Sequence, residues 1–220
     1  MLKGPYRTVL FDFDGTVFDT IEGITRSVQY AIRKHGLDAE LDELRCFAGP
    51  PLLDKYMEVF GVAQQTAEQM VVDFRERYVP VGIYESAPFP GIRELLNALQ
   101  DAGMTLGIAT SKPQSMAELL LERADLFGFF TVIAGSRPQL NNERKWQVVR
   151  RVMSLCDAEE GSTVMIGDTK YDVEGAHQAG IPCIGVRWGY AAKGELEEAG
   201  ADGIAEGMED LRRLLTGENG

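Results

Sequence analysis

The sequence predicts an α/β fold: a Rossmann-like parallel sheet whose first strand is followed by an inserted helical segment. Short apolar runs alternate with helical stretches through the second half of the chain, and such alternation implies βαβ units. Two of the runs end in paired acids, at Asp12 and Asp14 and again at Asp168 and Asp172. Between the first run and the alternating region, residues 21–84 have apolar side chains at helical spacing.

The first strand is expected over Thr8-Asp12, in the run Val9-Leu10-Phe11-Asp12-Phe13-Asp14-Gly15-Thr16. Its Val, Leu and Phe content suits a buried strand. Gly15 then permits a sharp turn without a Cβ penalty. Helical spacing follows in Ile24, Val28, Ala31 and Ile32, and again in Met70, Val71 and Phe74, with Pro50-Pro51 dividing the segment. Hinges are expected near Phe18-Ile21 and Tyr84-Pro90. Beyond them, strands are read at Met104-Ala109, Thr131-Ala134, Thr163-Ile166 and Cys183-Val186. Helices are read at Ile92-Ala102, Met116-Ala124, Glu143-Cys156 and Tyr171-Ala179. Gly103, Gly128, Gly180 and Pro182 punctuate the connections. The acidic stretch Glu195 to Glu209 reads as a solvated face.

In an extended strand alternate side chains share a face, so Asp12 and Asp14 are expected to point together. Burying two repelling carboxylates requires an offsetting cation or proton. Val164-Met165-Ile166-Gly167-Asp168 repeats the pattern, and Asp172, four residues on, falls at the start of a helix. There it gains from the helix dipole; alone it is an ordinary first-turn acid. In a parallel sheet both strands end at one edge, where α/β folds place ligands. Four hard oxygen donors meeting there suit Mg²⁺, which favours carboxylates and water.

Charge and composition narrow the partners. The chain has 220 residues and a formal net charge of −12. That balance disfavours nucleic acid, whose phosphates are met by clustered Lys and Arg, and also an acidic membrane surface. No apolar stretch approaches the roughly 18 residues of a membrane span, and Met1 to Arg7 is too short and polar for a signal peptide. Cys46, Cys156 and Cys183 are widely spaced without a CxxC pair. They are expected to be buried spectator thiols in a cytoplasmic protein. His35 and His177 fall on helical stretches and are expected on helix surfaces.

Asp12-Phe13-Asp14-Gly15-Thr16 resembles the first motif of the haloacid dehalogenase superfamily, DxDGT. Ile108-Ala109-Thr110-Ser111 is similar to its second motif, Lys145 to its third-motif lysine, and Gly167-Asp168 through Asp172 to its fourth, GDxxxD. The motifs occur in the family's order, and the resemblance covers essentially the whole chain. Ala48-Gly49-Pro50-Pro51-Leu52, Pro90-Gly91, Ser111-Lys112-Pro113 and Trp188-Gly189-Tyr190 resemble the phosphoglycolate phosphatase-like branch.

The resemblance implies a core of residues 1–18 and 86–220 with the family's fold, and a helical cap over residues 19–85. It implies a Mg²⁺-dependent phosphatase acting on a small phosphate ester, as a monomer or homodimer. Asp12 would be the nucleophile, Asp14 the acid and base, and Thr110 and Lys145 would bind the transferring phosphoryl group. The metal would be held by Asp12, the backbone carbonyl at Asp14 and Asp168, with Asp172 as ligand or outer-shell partner. Ser111, Lys112 and Arg45 are candidate substrate contacts; Arg45 is also readable as a surface residue. Asp14 favours phosphoryl transfer over dehalogenation. Ile24, near the place where the family's sugar-phosphate mutases carry a cap-edge histidine, favours hydrolysis. Phosphoglycolate is the substrate the branch suggests. A 5′-nucleotidase, a pyrophosphatase, and a non-catalytic phospho-ligand-binding or regulatory protein are the alternatives.

Overall fold

The computed structural model describes residues 6–137 and 143–217. In chain order these form β1 (Thr8–Phe11), β2 (Phe18–Asp19), α1 (Ile21–Lys34), a 3-10 segment (Leu41–Phe47), α2 (Leu52–Phe60), α3 (Gln64–Tyr78), a 3-10 turn (Gly82–Tyr84) and β3 (Ala87–Pro88). Then come α4 (Ile92–Asp101), β4 (Thr105–Pro113), α5 (Gln114–Arg123), β5 (Val132–Ser136), α6 (Lys145–Leu155), β6 (Thr163–Gly167) and α7 (Lys170–Gln178). β7 (Cys183–Val186), α8 (Glu195–Glu198), β8 (Gly203–Ala205) and α9 (Met208–Thr216) complete the chain. It divides into two compact units, Met1–Phe18 with Pro88–Gly220, and Asp19–Ala87.

The first unit is built on a six-stranded sheet of order β5-β4-β1-β6-β7-β8. Every pairing is parallel. β1 lies between the two halves, Thr8 pairing with Thr105 on one side and Thr163 on the other. Strand order reverses about β1, which makes its carboxyl end the topological switch point where open α/β sheets bind ligands. All four β1 residues are buried, as continuous apolar strands of parallel sheets are. Leu10, Met165 and Cys183 pack with Val148, Val149 and Val152 of α6 and with Val173 and Ala176 of α7.

The second unit is helical. α1 packs on α3 and on the Leu41–Phe47 segment, and α2 packs on α3. The apolar positions Ile24, Val28, Ala31 and Ile32 are buried, as their helical spacing requires. Phe47, Tyr56 and Phe60 form an aromatic cluster. Asp73 is buried and joins α3 to the end of α1: Lys34 Nζ lies 2.5 Å from its Oδ1 and His35 Nε2 2.8 Å from its Oδ2.

Three expectations are corrected. Glu195 to Glu209 is not merely a solvated face: it contains α8, the sixth strand β8 and the start of α9, with Leu196 and Ala205 buried. Small apolar residues scattered among many acids give too little periodicity to find a strand of three residues. His35 is not a surface residue but a partly buried partner of Asp73, whereas His177 pairs with Asp202. Of the three cysteines only Cys183 is fully buried, and Cys46 is exposed; burial pushes the Cys183 thiol well above its ordinary pKa.

Candidate active site

The carboxyl ends of β1, β4 and β6 converge because the strands are parallel and adjacent. β1 ends at Phe11, and the Asp12 amide still donates to Ile166 O at 2.8 Å. A tight turn follows, with the Phe13 carbonyl accepting from the amides of Thr16, Val17 and Phe18. Gly15 has φ +82° in this turn, and a Cβ there would collide with the Asp168 carboxylate. Glycine therefore serves both the left-handed backbone and the close approach of β6's acid.

Asp12, Asp168 and Asp172 are all buried, and one carboxylate oxygen from each lies within 4.8 Å of the others. Lys145 pairs with two members of this trio: its Nζ is 2.7 Å from Asp12 Oδ1 and 2.7 Å from Asp172 Oδ1. It is the first residue of α6, where the helix dipole disfavours a cation; the two carboxylates outweigh that. Its side chain is only 8% exposed. Gly175 makes room for it: an added Cβ would come 2.6 Å from Lys145 Cγ.

The electrostatics follow from burial. Desolvation raises the Asp12 pKa to about 6, Lys145 pulling it down and Asp172 pushing it up. Desolvation, then repulsion from Asp172 and Asp12, raises Asp168 well above the ordinary carboxylate value, against a hydrogen bond from the Tyr190 amide. Burial works against the charge on Lys145, yet Asp12 and Asp172 hold it above the usual lysine range. Three acids share one ammonium in a desolvated place, which leaves excess negative charge there. A divalent cation with oxygen ligands fits that deficit.

Asp14 departs from expectation. Extended alternation would set it beside Asp12, but the turn after Phe11 sends its carboxylate to Lys112, with Nζ 2.9 Å from Oδ1 and 3.3 Å from Oδ2. Its carboxylate is accordingly outside the acid trio. Asp172 lies in the first turn of α7, as expected, and closes a capping box there, accepting from the Thr169 amide at 3.0 Å and hydroxyl at 2.9 Å.

Thr110 is buried in β4, two residues past Ile108, which pairs with the end of β1, and its Oγ1 accepts from the Lys112 amide at 3.1 Å. Ser111 is exposed. Arg45 belongs to the Leu41–Phe47 segment of the helical unit. Supporting residues to which the sequence assigned no role hold Asp168: Thr16 Oγ1 donates to Oδ1 at 3.2 Å and the Tyr190 amide to Oδ2 at 2.8 Å. Trp188 Nε1 donates to Thr16 O at 3.1 Å, so the loop after β7 braces both the first turn and the second acid. Its aromatic-Gly-aromatic sequence was the available signal.

A switch-point cluster of three buried acids, two of them gripped by one lysine, is an arrangement able to hold a cation and to present a carboxylate to an anionic group. The profile described as haloacid dehalogenase-like hydrolase matches residues 9–186. The chain belongs to that family, and among its members it is a phosphatase. It is 37% identical over 211 residues to a 5′-nucleotidase of Pseudomonas aeruginosa, a match covering 96% of each chain. It is 30% identical over 217 residues to a plasmid-encoded phosphoglycolate phosphatase of Cupriavidus necator, covering 96% of this chain and 94% of that one. The crystal structure of a predicted phosphatase from Clostridium acetobutylicum superimposes with a TM-score of 0.93 at 35% identity, covering 98% of this chain and 100% of that chain.

Proposed function

We propose that the protein is a Mg²⁺-dependent phosphatase that hydrolyses a small phosphate monoester through a phosphorylated Asp12. The observation that carries this is the buried carboxylate of Asp12, held 2.7 Å from Lys145 at the sheet's switch point. A carboxylate nucleophile splits a very slow displacement into two easier ones. An Asp12 oxygen bonds to phosphorus as the ester P–O bond breaks, and Asp14 gives a proton to the leaving oxygen. Water then attacks the phosphorus, Asp14 takes its proton, and phosphate leaves with Asp12 restored. Lys145 fixes the orientation of Asp12 and offsets charge throughout. Thr110, on the neighbouring strand just past the end of β1, is the hydroxyl that would hydrogen-bond a phosphoryl oxygen.

Asp12 and Asp168, with the backbone carbonyl of Asp14, would hold Mg²⁺, and Asp172 would act as ligand or brace. Bound there, the ion would polarise the phosphoryl group and relieve the repulsion among the acids. The helical unit, residues 19–85, would be a cap that reads the leaving group, with Arg45 a candidate contact. The 37% identity to a 5′-nucleotidase supports testing nucleoside 5′-monophosphates first, ahead of phosphoglycolate and pyrophosphate. Purified protein should release phosphate from at least one of these and from p-nitrophenyl phosphate, lose activity in chelator and regain it with Mg²⁺. Folded protein with no turnover of any ester would favour a phospho-ligand-binding role.

A further inference from the structure

β4 runs past the point where β1 ends, through Thr110 to Pro113, and its pairing with β5 shifts register between Ala109 and Pro113. Such irregularities re-aim side chains at sheet edges. Here Gly135 of β5 permits one, since a Cβ on it would strike the Lys112 carbonyl and the Gln114 amide. The Lys112 side chain is left 4% exposed, and a lysine so buried requires a counter-charge. Its Nζ spans both oxygens of Asp14, at 2.9 and 3.3 Å. The same ammonium lies 5.6 Å from the centroid of the Phe13 ring, which stacks on Phe18 at 4.7 Å. Lys112 is thus fixed from two sides, by an aromatic face and a two-oxygen grip.

We propose that Lys112 is a positioning residue that holds the Asp14 carboxylate at its station for proton transfer, instead of being a contact for substrate. This rests on the phosphatase reading given above. A lysine that aims Asp14 matters most when the leaving oxygen needs a proton. An alkoxide from a nucleoside 5′-monophosphate needs one; p-nitrophenolate scarcely does.

The test is a double-mutant cycle of Lys112→Met and Asp14→Asn, measured with a nucleoside 5′-monophosphate and with p-nitrophenyl phosphate. The expected result is that Lys112→Met lowers kcat/KM for the nucleotide at least tenfold more than for p-nitrophenyl phosphate. In the Asp14→Asn background the same change should cost less than about threefold, because residues acting as one unit are non-additive. Competitive inhibition by inorganic phosphate should keep its constant within about twofold. Equal losses on both esters, additive losses in the cycle, or a tenfold weaker phosphate inhibition would overturn the assignment and make Lys112 a substrate contact. If Lys112→Met does not fold, Lys112→Arg serves: it keeps the charge but alters the grip, so the nucleotide-specific loss should persist, and its absence would count against positioning. Wild-type protein without turnover would sink the phosphatase reading and this inference together. Active wild type with an additive cycle sinks this inference alone.

Discussion

Asp12 carries an unusual pH signature. Its pKa is raised by burial to about 6 from an ordinary 3.8, so between those values the metal-free native state holds a proton that the unfolded state has lost. Stability therefore falls as pH rises through that window, and the deficit is complete above it. A shift of this size corresponds to roughly 2–3 kcal/mol. Asp12→Asn should abolish turnover while raising the stability of chelator-treated protein at neutral pH, and it should flatten the stability profile between pH 4 and 6. Denaturant melts at several pH values would show this; an unstabilised variant would contradict the burial of the charge. Gly175 is the steric counterpart. A methyl there presses on Lys145 Cγ and Cβ, at 2.6 and 2.8 Å, so Gly175→Ala should cost on the order of 1–3 kcal/mol. It should also lower kcat by displacing the ammonium, as rates and melts on one preparation would reveal.

Among elements, the α1–α3 pair in the helical unit depends on one buried acid. Burial works against the charge of Asp73, yet Lys34 and His35 hold its pKa below the ordinary value. Its stabilisation is thus present at neutral pH and is lost only as pH falls below the usual carboxylate range, the opposite sign to Asp12. Asp73→Ala should destabilise the unit by roughly 1–3 kcal/mol, since Lys34 is partly exposed and recovers some hydration; helical signal against denaturant would measure it. Elements were readable in proportion to their apolar run. β1 and β6 announce themselves because a continuous hydrophobic strand ends abruptly in Asp, and α1 because Ile24, Val28, Ala31 and Ile32 recur at helical spacing. β8 was hidden because Ile204 and Ala205 stand among acids. Lys112 was legible as a residue near the site, but its grip on Asp14 was not, because a register shift in β4 and a turn after Phe11 create it. Neither leaves a pattern in residue order.

Across the whole molecule, the motifs named all three acids of the cluster because sheet topology brings strand ends together whatever the intervening sequence. The leaving-group preference has no such signature. If Arg45 in the helical unit reads the leaving group, Arg45→Ala should lower kcat/KM for the best natural ester by about tenfold to a hundredfold, the loss of one charged hydrogen bond. p-Nitrophenyl phosphate should be affected much less. Parallel losses under about threefold would remove Arg45 from consideration. The position of β1 at the middle of the sheet has a further consequence, for how the chain is made. Thr8 must wait for Thr105 and then Thr163, while the helical unit closes on contacts made within Asp19–Ala87. Long-range pairing is slow and local helix packing fast, and domains tend to fold as they leave the ribosome. The first acid pair is thus synthesised early yet acquires its lysine and its second acid late. A nascent chain halted before Thr163 is expected to have the contacts within its helical unit available while still lacking Asp168 and Asp172, and so the assembled acid cluster.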